Sequence, residues 1–464
     1  MTIEQPKFTT GNIFKHVSVM TLTSSIGLMA IFMVDLVDMI FISMLGTAEL
    51  AAAVGYAGAV LFFTSSFGIG MSITAGALVA RALGARDGEM ARRRSATAMT
   101  FGVVLGALFA GVVWLNIDSL LRLLGASGQT LALGTHYLKI IVPSMPFLMV
   151  GMIGGAILRA HGAAQRAMMA TIYGGLVNAV LDPILIFGFD LELTGAAIAS
   201  VAARVTMGAA ALIPIYRYYG GLRRPTLPEM RMDSAAIFAI AMPAILTQLA
   251  TPLGQAYVTR SMSEFGEGAV AGMAIVGRLT PVAFGFLFAL SGAVGPIIGQ
   301  NAGAGLPQRV QQSFWDGLKF AAIVTVLMSA LLFGLRGPIV ALFRADGITA
   351  EIVILFCGPL ALMFYFNGVI FVSNAAFNNL GQPFYSTWIN WGRHTVGTIP
   401  FVILGGIWFG AKGVLIGQAF GGFVFAVVAV ILVRRVISDE GGRKIKPQPF
   451  QNQRRLLGLF NFRR

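Results

Sequence analysis

Apolar residues in this chain come in runs of about 20 or more, divided by short polar stretches. About 20 apolar residues at helical rise cross the hydrocarbon of a bilayer, so each run predicts a membrane-spanning helix. The runs lie at roughly 15–43, 49–79, 95–117, 132–156, 167–189, 194–216, 235–260, 268–298, 315–336, 351–376, 384–409 and 413–435. Glycines at or near the ends of the runs recur in pairs: Gly46 with Gly266, Gly84 with Gly303, Gly162 with Gly381, Gly195 with Gly413. Their offset is nearly constant at about 219 positions, the signature of an internal repeat. The expected fold is all-α and polytopic, with twelve transmembrane helices in two pseudo-symmetric six-helix lobes. The expected divisions are an N-terminal lobe at 1–216, a cytoplasmic linker at 217–234, a C-terminal lobe at 235–436 and a basic tail at 437–464. Six helices per half give both halves one orientation, a plan secondary transporters use to alternate access to a central site.

Composition narrows the class. Of 464 residues, 56% are hydrophobic and only 11% charged, against about 25% charged in a soluble domain. The net charge of +14 is concentrated in loops. After even-numbered runs come Arg81, Arg86, Arg92, Arg93, Arg94, Arg159, Arg166, Arg217, Arg223, Arg224, Arg231 and Arg309. After odd-numbered runs come only Arg122, Arg260, Arg336, Arg344 and Lys412. The positive-inside rule then places the even loops and both termini in the cytoplasm of an inner (plasma) membrane protein. The charge reads as facing anionic lipid, not nucleic acid. The first 13 residues are polar and the first apolar run is too long for a signal peptide, so none is expected. Cys357 is the single cysteine, a packing residue by expectation.

Candidate chemistry begins at Asn178 and Asp182, four residues apart and so stacked on one helix face, followed by Pro183. A carboxylate at membrane depth costs roughly 2.5–3.5 kcal/mol on insertion scales and normally faces a partner or a cavity. Proline cannot donate to the Ala179 carbonyl, which leaves a free acceptor beside the two side chains. In the first run, Asp35 and Asp38 are three apart. Asp35 lies at a depth similar to that of Asp182, so the two can meet if spans 1 and 5 are neighbours. Two close carboxylates repel and create a site for a proton or a sodium ion; with sodium, Asp35 and Asp182 are metal ligands. Asp38 reads equally well as a member of that site or as a solvated mouth residue. Ser200 adds a hydroxyl to the same cavity or bonds its own helix. Arg278 pairs with a carboxylate or lines the cytoplasmic cleft. Arg393 and His394 belong to the transport path or bond neighbouring helices. The sets Phe284, Phe286, Phe288 and Phe364, Tyr365, Phe366 stack a planar substrate or pack against lipid. Spans 7 to 12 carry no acid except Asp316 and Glu351, near predicted ends. No phosphate loop, HExxH or GxSxG motif is present, so no enzyme activity and no cofactor is expected, and the energy must come from an ion gradient.

Taken together, Val34-Asp35 followed by Leu45-Gly46-Thr47 and Ala51-Ala52, then Asn178 with Asp182-Pro183, then Gly195–Ser200, resemble the multidrug and toxic compound extrusion (MATE) family. Gly295-Pro296, Gln300–Ala304 and Asn379–Gln382 carry the resemblance into the second half. It implies two six-helix bundles that export organic cations or toxic amphiphiles against inward H⁺ or Na⁺. It also implies a first-lobe cation site at Asp35, Asn178, Asp182 and Ser200, where threonine is usual. Accessory candidates are Asp38, Arg278, Arg393 and His394; substrate-cleft candidates are Phe284, Phe288, Tyr365 and Asn367. Many members carry an acid in span 7 or 10, where this chain offers Gln248, Gln255, Asn367 and Asn374. That departure resembles the DNA-damage-inducible branch. A proline common in span 1 is replaced by Met20 and Thr23. The expected partners are a drug-like small molecule, H⁺ or Na⁺ and lipid, the expected state a monomer. A lipid-linked precursor flippase of related fold is the alternative; it would call for a basic central cavity, whereas membrane-depth bases here are few (Arg204, Arg278, Arg393).

Overall fold

The computed structural model describes residues 6–44 and 48–442, without the side chains of residues 35, 36, 39, 40, 42–44, 48, 51 and 440–442. Gly46 and the tail from 443 onward therefore lie outside the described residues. Every regular element among those described is helical. The chain divides into two compact units, one of Ile26–Ala241 and one of Pro6–Ser25 with the chain from Met242 onward. The divisions fall inside two long helices, α1 (Ile13–Met44) and, later, α9 (Leu227–Ser263).

The first unit holds most of α1, then α2 (Ala48–Gly84), α3 (Gly88–Leu115), the short α4 (Ile117–Leu123), α5 (Gly128–Ile141), α6 (Met145–Ala160), α7 (Ala164–Pro183) and α8 (Glu192–Tyr218). Small residues let these helices touch, as packing within a bilayer favours. A Cβ on Gly27 would lie 3.3 Å from the Met168 Cα, and one on Gly175 would lie 3.0 Å from Val34 Cγ2. The same sequence offset separates both pairs, so α1 and α7 lie side by side, parallel and in register. The fourth predicted span is two helices, α5 and α6, joined by a 3₁₀ turn at Val142–Ser144 around Pro143. Asp233, at the start of α9, is buried against α3: it accepts from Arg93 Nε at 3.1 Å and from Thr97 Oγ1 at 3.1 Å.

The second unit is built from the later part of α9, α10 (Glu267–Gly303), α11 (Pro307–Leu342), α12 (Gly347–Leu355), α13 (Ala361–Asn379), α14 (Pro383–His394) and α15 (Ile399–Gly442). Its core includes Phe284, Phe314 and Phe377, all fully buried. The chain's N-terminal segment is held here too: Phe8 N donates to Gln300 Oε1 at 2.9 Å, and Arg309 Nη2 donates to the Phe8 carbonyl at 2.9 Å. The tenth predicted span breaks at Phe356–Leu360, around Gly358 and Pro359.

Among the described residues, eleven helical stretches are long and apolar enough to cross a membrane, the last being Pro383–Asp439 with 57 residues. At helical rise that is about 85 Å, more than twice the roughly 30 Å hydrocarbon thickness. It does not run straight. At Gly410 the backbone takes φ 60° and ψ −145°, which only glycine adopts readily, and the chain doubles back. Gly413 then lies on the Gly405 carbonyl, Gly417 on that of Phe401 and Gly421 on that of Gly397. This hairpin supplies spans eleven and twelve, and the expected count of twelve holds.

Candidate functional site

Pro183 lets α7 run to its own position and then loosens it: Ile184–Gly188 follow as a single π turn. The start of α8 is pressed against that turn. A Cβ on Gly195 would lie 2.7 Å from the Leu185 carbonyl carbon and 2.9 Å from the Ile186 nitrogen, so only glycine permits the approach. Higher up, Gly174 meets the Ala203 carbonyl at 3.1 Å on the same measure. These contacts set Ser200 of α8 beside the polar face of α7.

On that face Asn178 Nδ2 donates to Asp182 Oδ2 at 3.0 Å, the i,i+4 pair read from the sequence. Asp182 is fully buried and Asn178 nearly so. Among the described side chains, the carboxyl of Asp38, one turn beyond Val34 on α1, adjoins that of Asp182, close enough for a hydrogen bond once one of the two carries a proton. Each retains one buried oxygen, Oδ1 in both cases, with no hydrogen-bond partner. Tyr137 of α5 closes the cluster, its hydroxyl within side-chain hydrogen-bonding reach of Ser200. Behind it, Arg204 Nη1 donates to Ser144 Oγ at 2.9 Å and to the Ile141 carbonyl at 3.2 Å. That carbonyl is free to accept because the 3₁₀ turn redirects the Met145 N–H to Val142. Two adjoining carboxyls, an amide, two hydroxyls and two unmatched oxygens make a cluster rich in acceptors. Such a set suits a small cation, and nothing in it resembles a nucleophile–base pair.

The side chain of Asp35 lies outside the described residues. Arg278 is exposed on α10. Phe284 is fully buried and stacked on Phe364, ring centroids 4.2 Å apart, while Phe288 keeps 37% of its surface exposed. Arg393 Nη1 donates to Asn367 Oδ1 at 2.6 Å, which joins two of the predicted residues. Tyr365, half-buried, sets its ring edge-on to Phe366. In the second unit Asp316 pairs with Lys319 at 3.3 Å and Glu351 with Lys412 at 2.7 Å. Tyr137 escaped the sequence reading, since a lone tyrosine in an apolar run carries no positional signal.

The family model described as MatE matches the chain twice in succession, over residues 24–184 and 243–404. The chain is therefore a member of the MATE family, a multi-pass membrane protein that exports small molecules as a secondary transporter, not an enzyme. A FAD transporter of Shewanella oneidensis is 30% identical over 431 residues, spanning 90% of this chain and 93% of its own. The multidrug export protein MepA of Staphylococcus aureus is 26% identical over 427 residues, covering 91% and 93%. The solved structure of a mutant of the Vibrio cholerae MATE transporter VcmN matches with a TM-score of 0.88 at 24% identity, over 92% of this chain and 97% of that one. That likeness carries the fold.

Proposed function

We propose that this chain is a monomeric antiporter of the inner membrane, with both termini cytoplasmic, that exchanges an amphiphilic organic molecule for H⁺ or Na⁺. The coupling ion is held in the first unit by Asp38 and Asp182, with Asn178, Ser200 and Tyr137 completing the shell. One observation carries this reading: the buried carboxyl of Asp182 adjoins that of half-buried Asp38, and each keeps a buried oxygen without a partner. Two carboxylates about 4 Å apart repel by about 4 kcal/mol at an effective dielectric of 20. A bound cation removes that repulsion, so ion occupancy and the packing of α1 against α7 are linked. One charge moving through 100 mV supplies about 2.3 kcal/mol, enough for about a 40-fold substrate gradient. The substrate range follows what the relatives are named for, multidrug export and FAD transport.

The test is efflux from proteoliposomes under an imposed pH gradient or an imposed sodium gradient. One of the two gradients should drive transport, and Asp38→Asn or Asp182→Asn should abolish the drive while the protein still elutes as a folded species. Asp35→Asn is the companion variant. If it proves the more damaging of the two α1 changes, Asp38 is not the partner of Asp182 in coupling.

A further inference from the structure

Arg393 and His394 end α14 in the middle of the eleventh span; residues 395–398 turn, and α15 resumes at Ile399. Interrupted helices at membrane depth occur where backbone lines a cavity, and they point to binding sites. The Thr398 hydroxyl donates to the Arg393 carbonyl at 2.7 Å and so holds the break in shape. The guanidinium itself touches only neutral groups: Asn367 Oδ1 at 2.6 Å and His394 Nε2 at 3.0 Å. Arginine can only donate, so Nε2 accepts and the ring proton of a neutral His394 sits on Nδ1. That atom is buried without a hydrogen-bond partner, in a ring pressed against the backbone of Gly254 on α9. Among the described residues no carboxylate pairs with Arg393; the nearest thing to compensation is the α14 C-terminus, worth about half an elementary charge.

Arg393 is half-buried; taking a cation even partly out of water is costly, and neutral amide and imidazole partners return only part of that cost. The neighbours also present donors. Asn367 spends its acceptor on Arg393 and keeps its amide N–H groups. Gln255, next to Gly254, spends its acceptor on Gln418 Nε2 at 3.2 Å and likewise keeps its amide. Phe366, next to Asn367 in sequence, packs edge-on to Phe423, ring centroids 4.9 Å apart.

We propose that Arg393, with the amides of Asn367 and Gln255, is the receptor for an anionic group of the exported molecule, a phosphate or carboxylate on an aromatic or apolar body. The site lies wholly within the second unit, and the proposal rests on the reading of the chain as an exporter. The planar guanidinium fork suits either oxyanion.

Equilibrium binding to the purified full-length protein in nanodiscs tests this with no gradient imposed, so a failure of ion coupling leaves the result readable. The probes are riboflavin, riboflavin 5′-phosphate and 10-carboxymethylflavin, followed by flavin fluorescence. At least one anionic flavin should bind about tenfold more tightly than riboflavin, and the stronger of the two identifies phosphate or carboxylate as the preferred group. Arg393→Gln should erase that preference and Arg393→Lys keep part of it. Asn367→Asp sets a carboxylate against the intact guanidinium and should erase it too, which decides the matter if Arg393→Gln fails to fold. Equal binding of all three flavins to the wild type, or a preference that survives Asn367→Asp, overturns the proposal.

Discussion

Gly195→Ala tests whether the seam between α7 and α8 sets the candidate cation site. The added methyl carbon would lie 2.7 Å from the Leu185 carbonyl carbon and 2.9 Å from both the Leu185 oxygen and the Ile186 nitrogen. Ordinary contacts begin near 3.4 Å. All three neighbours are backbone, so no side chain can swing aside, and α8 must retreat by several tenths of an ångström to about 1 Å. Overpacking of this kind costs roughly 1–3 kcal/mol, which corresponds to about a 5- to 150-fold change in an equilibrium. Ser200 lies further along the same helix and retreats with it, and misplacement by about 1 Å in a preorganised site costs on the order of a hundredfold. The expected result is efflux reduced about 10- to 100-fold in proteoliposomes, with a lower thermal midpoint in detergent. Gly188→Ala is the control, because a Cβ there meets nothing within 4 Å. It should be neutral in both assays. If Gly195→Ala matches wild type in rate and midpoint, close approach at that position does not set the site.

Asn178→Ala removes a donor to Asp182; a hydrogen bond to a charged group is worth about 1.5–3 kcal/mol, so maximal efflux should fall about tenfold or more. An unchanged maximal rate would remove Asn178 from the site. Gly410→Ala forces a β-carbon into a backbone region costing about 1–3 kcal/mol, and should lower the thermal midpoint without altering which flavin binds best. Asp233→Ala strips a partner from Arg93 and Thr97, costing about 1.5–3 kcal/mol of stability, and should leave efflux per folded molecule near wild type. A severe efflux defect in folded Asp233→Ala would give that residue a part in transport.

The spans and the Asn178–Asp182 pair were legible because both follow from one helix alone: run length for the first, four-residue spacing for the second. Whether Asp38 joins Asp182 or stands as a solvated mouth residue was not legible. Each step along a helix turns it about 100°, so the answer depends on the rotational phase of α1 against α7. That phase is set by Gly27 on Met168 and Gly175 on Val34, contacts visible only in three dimensions. Arg204 was equally opaque, since one of its two acceptors, the Ile141 carbonyl, is released where the 3₁₀ turn at Pro143 redirects the backbone of another span. Asn367 and Arg393 were each singled out, yet their contact joins helices 26 positions apart. The interruption at residues 395–398 is marked only by Gly397 within it and by Pro400 in the first turn of α15, signals too weak to divide a 26-residue apolar run.

The last helical hairpin also bears on how the protein is made. Bare backbone of Gly413, Gly417 and Gly421 lies directly on carbonyls of the preceding strand of helix, leaving no width for an acyl chain or a methyl group. Neither helix alone offers lipid a smooth apolar wall; each shows a groove that its partner fills. Release from the translocon is then expected to happen pairwise, and a chain cut short after the turn at Gly410 should be recognised by membrane proteases as an orphan.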